Sequence, residues 1–133
     1  MILLDTHALL WFSAEDDALG RRSRALARQA LTNDRLHVSA ISFWEISMLT
    51  VKGRLEGLDS PAEQRLKILS SGIHEVPLTG DVALLAAELD GLHGDPADRF
   101  ILATAISHDA TLLTADKALL RWRHSVKRQD AAK

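Results

Sequence analysis

A chain of 133 residues is long enough for one domain and one hydrophobic core, and at 47% hydrophobic and 26% charged residues it is excluded from the disordered and fibrous classes. No apolar run approaches the roughly 18 residues of a membrane-spanning helix, and the N-terminus lacks the basic start and cleavage site of a signal peptide, so a cytoplasmic location is expected. The absence of cysteine excludes disulfides, thiolate zinc sites and cysteine nucleophiles, and the formal net charge of -2 does not announce a nucleic-acid binder, although it hides any local clustering.

In chain order, residues 2–5 read as a short buried strand and 6–14 as a helix with Leu9, Leu10 and Trp11 among its apolar positions. Residues 17–31 alternate apolar positions with Arg21, Arg24 and Arg28, which suits an amphipathic helix. "LHVSAIS" (36–42) is a second strand that runs into a helix, "FWEISMLTVKGRL", expected to stop near Gly53. "DSPAEQRLKILSSG" carries a cap and proline at Ser60 and Pro61 and ends at Gly72, with Ala62, Leu66 and Leu69 on one face.

"IHEVPLT" (73–79) is a third strand, with Pro77 marking its end or a sheet edge. Val82, Leu85, Ala86, Leu89 and Leu92 then form a helical stripe, and "DPADRFILATAISHDA" is a helix apolar almost all round from Phe100 to Ala103, so it is expected in the middle of the molecule. "TLLT" (111–114) is a fourth strand, followed by a short helix at "DKALLRW" and a last edge strand near "SVK". Short apolar strands alternating with helices predict a mostly parallel sheet covered on both faces, in a single domain spanning residues 1–133.

Four acids stand at the joints of these elements. Asp5 follows the first strand, Glu45 the second and Asp116 the fourth, while Asp98, with Asp95 before it, begins the most apolar helix. Each has an ordinary explanation. Ser42 and Glu45 have the spacing of a capping box, Asp95 precedes a proline at the first helical position, and Asp5 and Asp116 suit the positive end of a helix dipole. Capping does not, however, require acids at the ends of three strands plus the most apolar helix. In a parallel sheet all strand C-termini point to one edge, where ligands collect at the point of strand-order reversal. Carboxylates gathered there repel one another unless a cation compensates them, and all-oxygen ligands suit Mg²⁺ or Mn²⁺. Such an ion can polarise a phosphodiester oxygen and activate a water opposite the leaving oxygen.

The segments "LLDTHALLW", "VSAISFWEIS", "HGDPADRFILATA" and "LLTAD" together resemble the acidic motifs of the PIN domain, in its VapC-type bacterial toxin branch. The resemblance covers nearly the whole chain, in order. It implies a PIN-like three-layer sandwich and a metal-dependent endoribonuclease of a toxin–antitoxin pair. Mg²⁺ or Mn²⁺ would be held by Asp5, Glu45, Asp98 and Asp116, and the RNA products would carry a 5′-phosphate and a 3′-hydroxyl. Thr6 and Thr114 match hydroxyl positions that orient carboxylates or water. Asp95 is a further acid that acts behind the ligands or only as a cap, and Arg99 either touches phosphate or pairs with an acid, pairing being favoured. The implied partners are an RNA substrate, a cognate antitoxin protein and a second copy of the chain in a homodimer, with no membrane.

Competing readings remain at this point. A strand-end carboxylate phosphatase of the haloacid dehalogenase type needs an acid where the chain has His7, and a receiver domain needs paired acids and a later lysine that are not evident. A PIN-like module that binds RNA or protein without cutting also fits. His7, His93 and His108 fall in no paired ligand spacing and are expected to be structural or solvent-facing. There is no nucleophile-elbow serine and no glycine-rich phosphate loop. RNA contacts are expected from the arginine face of 17–31 and the Lys52–Arg54 loop. With 5% aromatic residues, extensive base stacking is not expected.

Overall fold

The computed structural model describes residues 1–53, 59–92 and 94–133. Arg54 and His93 therefore lie outside the described residues. Five strands form one sheet: β1 (Ile2–Leu4), β2 (Leu36–Ser39), β3 (His74–Val76), β4 (Thr111–Thr114) and β5 (Arg128–Asp130), in the order β3-β2-β1-β4-β5. Every pairing is parallel. The order reverses beside β1, which lies between β2 and β4, so the crevice of the sheet falls at the C-terminal ends of β1 and β4.

The strands are short and apolar because both faces are buried. Leu3 and Leu112 point into one core layer with Ala86, Ile101 and Leu102, while Leu4 and Leu113 point into the other with Leu9, Ala27 and Ile46. The first layer is covered by α5 (Gly80–Glu88), α6 (Pro96–Ser107) and α7 (Lys117–Arg121). The second is covered by α1 (Thr6–Ser13), α2 (Arg21–Thr32), α3 (Ile41–Val51) and α4 (Pro61–Ser70). This is the three-layer α/β sandwich expected from the alternation of strands and helices. α6 is as deeply set as its composition requires, with Ile101 to Ala105 all buried.

Several local expectations are corrected. The helix expected from 17 begins at Arg21, because Asp16 Oδ1 accepts the Ala18 N–H in a turn and Gly20 takes the N-cap position. The second strand ends at Ser39, and α3 starts at Ile41 with Ala40 as its N-cap. Ser42 is thus inside the first helical turn, and the capping box read from Ser42 to Glu45 does not form. On α4 the buried residue is Ile68, while Leu66 is 62% exposed and Ala62 is also exposed. The face is turned so that Arg65 can pair with Glu75 on β3 through two hydrogen bonds of 2.8 and 2.9 Å. The last strand lies just after "SVK" at Arg128–Asp130, and β3 stops before Pro77.

Candidate active site

The loop leaving β1 delivers Asp5 directly to the crevice. Its N–H donates to the Leu113 carbonyl at 3.0 Å, which ties the first acid to the end of β4. Its side chain is a true N-cap: Oδ1 accepts the Ala8 N–H at 2.8 Å while Oδ2 accepts the Thr114 hydroxyl. Thr114 Oγ1 also accepts the Asp116 N–H at 3.1 Å, so one hydroxyl positions both the first and the last acid. Asp116 in turn caps α7 through the N–H groups of Ala118 and Leu119.

Glu45 lies one turn into α3 and is held from the other side. The Thr6 hydroxyl donates to Glu45 Oε1 and lies 2.9 Å from the buried Ser42 Oγ. Ser42 therefore braces the threonine that orients Glu45, a role that its position in a supposed capping box concealed. Asp95 caps α6 by accepting the Asp98 N–H, as expected, and this sets Asp98 in the first turn.

A pocket of about 320 Å³ is lined by Asp5, Thr6, His7, Trp11, Glu45, Asp95, Asp98, Ala115 and Asp116. The four expected acids, Thr6 and Asp95 thus share one site, with Thr114 directly behind Asp5. Arg99 does not line it. Its guanidinium donates to the carbonyls of Ala86, Leu89 and Leu92 at 3.0, 2.7 and 3.2 Å, and so fastens the end of α5 to α6. His7 is solvent-facing, as expected, and stands on the wall of the pocket. The one sequence signal for His7 and Trp11 is their i, i+4 spacing on a helix that starts at an acid.

The charges in this pocket resist ionisation. Burial pushes the Asp98 carboxyl up to about 7, assisted by the negative charges of Asp95, Asp116, Glu45 and Asp5. Burial also raises Glu45, against the opposing hydrogen bond from Thr6, and raises Asp5, against those from Thr114 and Ala8. Asp5 is only 6% exposed. Among the described residues no three His, Asp or Glu side chains stand in a ready-made coordination cluster, so the acids line the pocket without already converging on one point. The donor set, all carboxylate oxygen and short of compensating positive charge, is the type that a hard divalent cation satisfies.

The basic face of α2 is directed elsewhere. Arg24 donates to the carbonyls of Asp16 and Leu19, and Arg24 and Arg28 line a separate groove of about 800 Å³ with Leu10, Phe12, Ile68 and Ile73. That groove shares no lining residue with the acidic pocket, so the arginines are not its rim.

Comparison with known proteins agrees with this geometry. The chain is 38% identical over 124 residues to Ribonuclease VapC22 of Mycobacterium tuberculosis (strain ATCC 25618 / H37Rv), covering 92% of both chains. Its fold is similar to that of a toxin-antitoxin complex from Klebsiella pneumoniae, with a TM-score of 0.61 at 23% identity over 92% of this chain and 93% of that one. It is also similar to VapBC2 from Rickettsia felis, solved bound to a DNA fragment from its promoter, with a TM-score of 0.69 at 20% identity over 97% and 98% of the two chains. The PIN domain family matches residues 2–124, and with the acids of that stretch assembled at the switch point of a parallel sheet, the chain is a member of the PIN domain family.

Proposed function

We propose that the protein is a metal-dependent endoribonuclease and the toxin of a toxin–antitoxin pair. The observation that carries this reading is the assembly of Asp5, Glu45, Asp98 and Asp116 in one pocket, where burial, assisted by the neighbouring acids, pushes Asp98 up to about 7. These four residues would hold the metal, and Mg²⁺ or Mn²⁺ bound there would supply Lewis acidity towards a phosphodiester oxygen and an attacking water. The chain supplies the rest. Thr114 fixes Asp5 and the backbone of Asp116, and Thr6, braced by Ser42, fixes Glu45. Asp95 holds the start of α6 and adds negative charge behind Asp98. Asp98, pushed up to about 7 by burial, holds a proton near neutral pH that a bound cation would displace.

The reading includes an antitoxin and a cytoplasmic place of action. No described helix is long and apolar enough to cross a membrane. The groove between α1, α2 and α4, apolar within and bordered by Arg24 and Arg28 as well as by Glu15 and the Lys67–Asp59 ion pair, suits an amphipathic antitoxin helix that carries charges beside its apolar face. A homodimer is supported by α3, where Trp44 is 53% and Val51 81% exposed. The test is sequencing of RNA ends after incubation of total RNA with the purified protein and Mg²⁺ or Mn²⁺. Cuts bearing a 5′-phosphate and a 3′-hydroxyl, lost in EDTA and in Asp98→Asn, are expected. Fragments ending in 2′,3′-cyclic phosphates would exclude this chemistry, because they require the RNA's own 2′-hydroxyl as nucleophile.

A further inference from the structure

His7 and Trp11 are four residues apart on α1, and both face the pocket that holds the acids. Their ring centroids are 6.3 Å apart with an interplanar angle of 55°, so the rings touch without stacking on each other. The contrast with the pair on the far side of the molecule is informative. Trp122 and His124 are stacked at 4.5 Å and 3°, and the Trp122 indole N–H donates to the Asp90 carbonyl, so that tryptophan is consumed by the fold. Trp11 is half-buried against the core with its neighbour exposed beside it, and among the described residues no hydrogen bond engages its indole nitrogen. A site with carboxylates for a metal and phosphate on one wall and a large aromatic surface on another matches a nucleotide in both its parts.

We propose that the base of an unpaired nucleotide next to the scissile phosphate stacks on Trp11, with His7 at its edge, making Trp11 a substrate-binding residue of the ribonuclease. This rests on the reading of the site given above and narrows it. The pocket, about 320 Å³, is on the scale of a single nucleotide. A base can lie on the indole only where it is unpaired, so the stacked position falls in a loop or at an end, where bases can be splayed onto aromatic side chains. One such platform is compatible with the low aromatic content, and it gives sequence-tolerant affinity at one position only.

The test compares wild type with Trp11→Phe, which keeps a π-face, and Trp11→Leu, which keeps apolar bulk without one. Substrates are a cleaved single-stranded RNA and versions with a single abasic site at each position around the cut. Loss of the stack is expected to raise KM about tenfold in Trp11→Leu, within the range measured for base–aromatic stacking, with most of it restored in Trp11→Phe. One abasic position should produce the same loss in wild type and no further loss in Trp11→Leu. Losses that add at every position, or a Trp11→Leu enzyme with wild-type KM, would overturn the stack while leaving the ribonuclease reading in place. Binding of the same RNA carrying 2-aminopurine at that position separates the two readings. Quenching by wild type and not by Trp11→Leu supports the stack even if no RNA is cut, in which case it is the cleavage reading that fails.

Discussion

Asp5 and Thr114 meet across 109 positions of sequence, and the contact joins two elements that enter the site from different strands. Because the same hydroxyl accepts from the Asp116 N–H, replacing it disturbs both acids at once. Thr114→Val is expected to lower metal affinity or activity by about 10- to 100-fold, as is usual for groups that orient metal ligands, with Thr114→Ser recovering most of it. Isothermal titration with Mn²⁺ alongside a cleavage assay measures both. Asp98 sets a second expectation. Between pH 3.8, its ordinary value, and about 7, the folded chain retains a proton that the unfolded chain has released. Stability of the metal-free protein contributed by this group is therefore present at low pH and declines as pH rises through that window. Calorimetry in EDTA should show a Tm that falls across it, a shallower fall in Asp98→Asn, and recovery by Mg²⁺ at the alkaline end. Equal slopes in wild type and Asp98→Asn would remove the buried Asp98 carboxyl as the cause.

At the scale of elements, the sequence was most informative where one local signal had one outcome. Asp95 before Pro96 reads as a helix start and is one, and the apolar girth of Phe100 to Ala103 correctly placed α6 in the interior. Asp5, Asp98 and Asp116 are legible because each sits at a strand or helix joint, a property of the topology and not of contacts, whereas Glu45, expected at such a joint, lies one turn inside α3. What was not legible depends on contacts across the chain. Ser42 has the spacing of a cap, but its hydroxyl is claimed by Thr6, 36 positions away, and no local rule contains that partner. The buried face of α4 was misread for the same reason, since Arg65 follows Glu75 on a neighbouring strand. α2 provides a test of such a distant constraint. A Cβ on Gly20 would lie 2.2 Å from the main-chain carbon of Lys133, and the Ser23 hydroxyl donates to the Asp130 carbonyl beside it. Gly20→Ala is expected to cost about 1–3 kcal/mol through overpacking, with β5 the first element to lose protection in hydrogen exchange. Urea denaturation gives the first quantity directly.

Among the described residues, the large apolar side chains left well exposed by the two core layers include Trp44 and Val51 on one side of α3, while Leu66, Leu78 and Leu84 lie on other segments. Trp44, Met48 and Val51 follow one another at helical spacing, with Trp44 and Val51 well exposed. If a second copy covers this stripe, Trp44→Glu should weaken self-association by at least about 2 kcal/mol, the scale of a central aromatic anchor. Sedimentation velocity over a concentration series would show it. A wild-type chain that sediments as a monomer throughout would refute the homodimer.

The order of strands has a consequence for the time at which the protein becomes active. β1 is made first but sits at the centre of the sheet, hydrogen-bonded on one side to β4, and Asp5 gains its supporting hydroxyl only from Thr114. At about 5–20 residues per second, Asp5 waits roughly 5–20 s for Thr114 to be made. The acids cannot assemble before the segment that carries Thr114 and Asp116 has emerged from the ribosome. The interval gives a restraining partner translated nearby the opportunity to meet the chain as it closes.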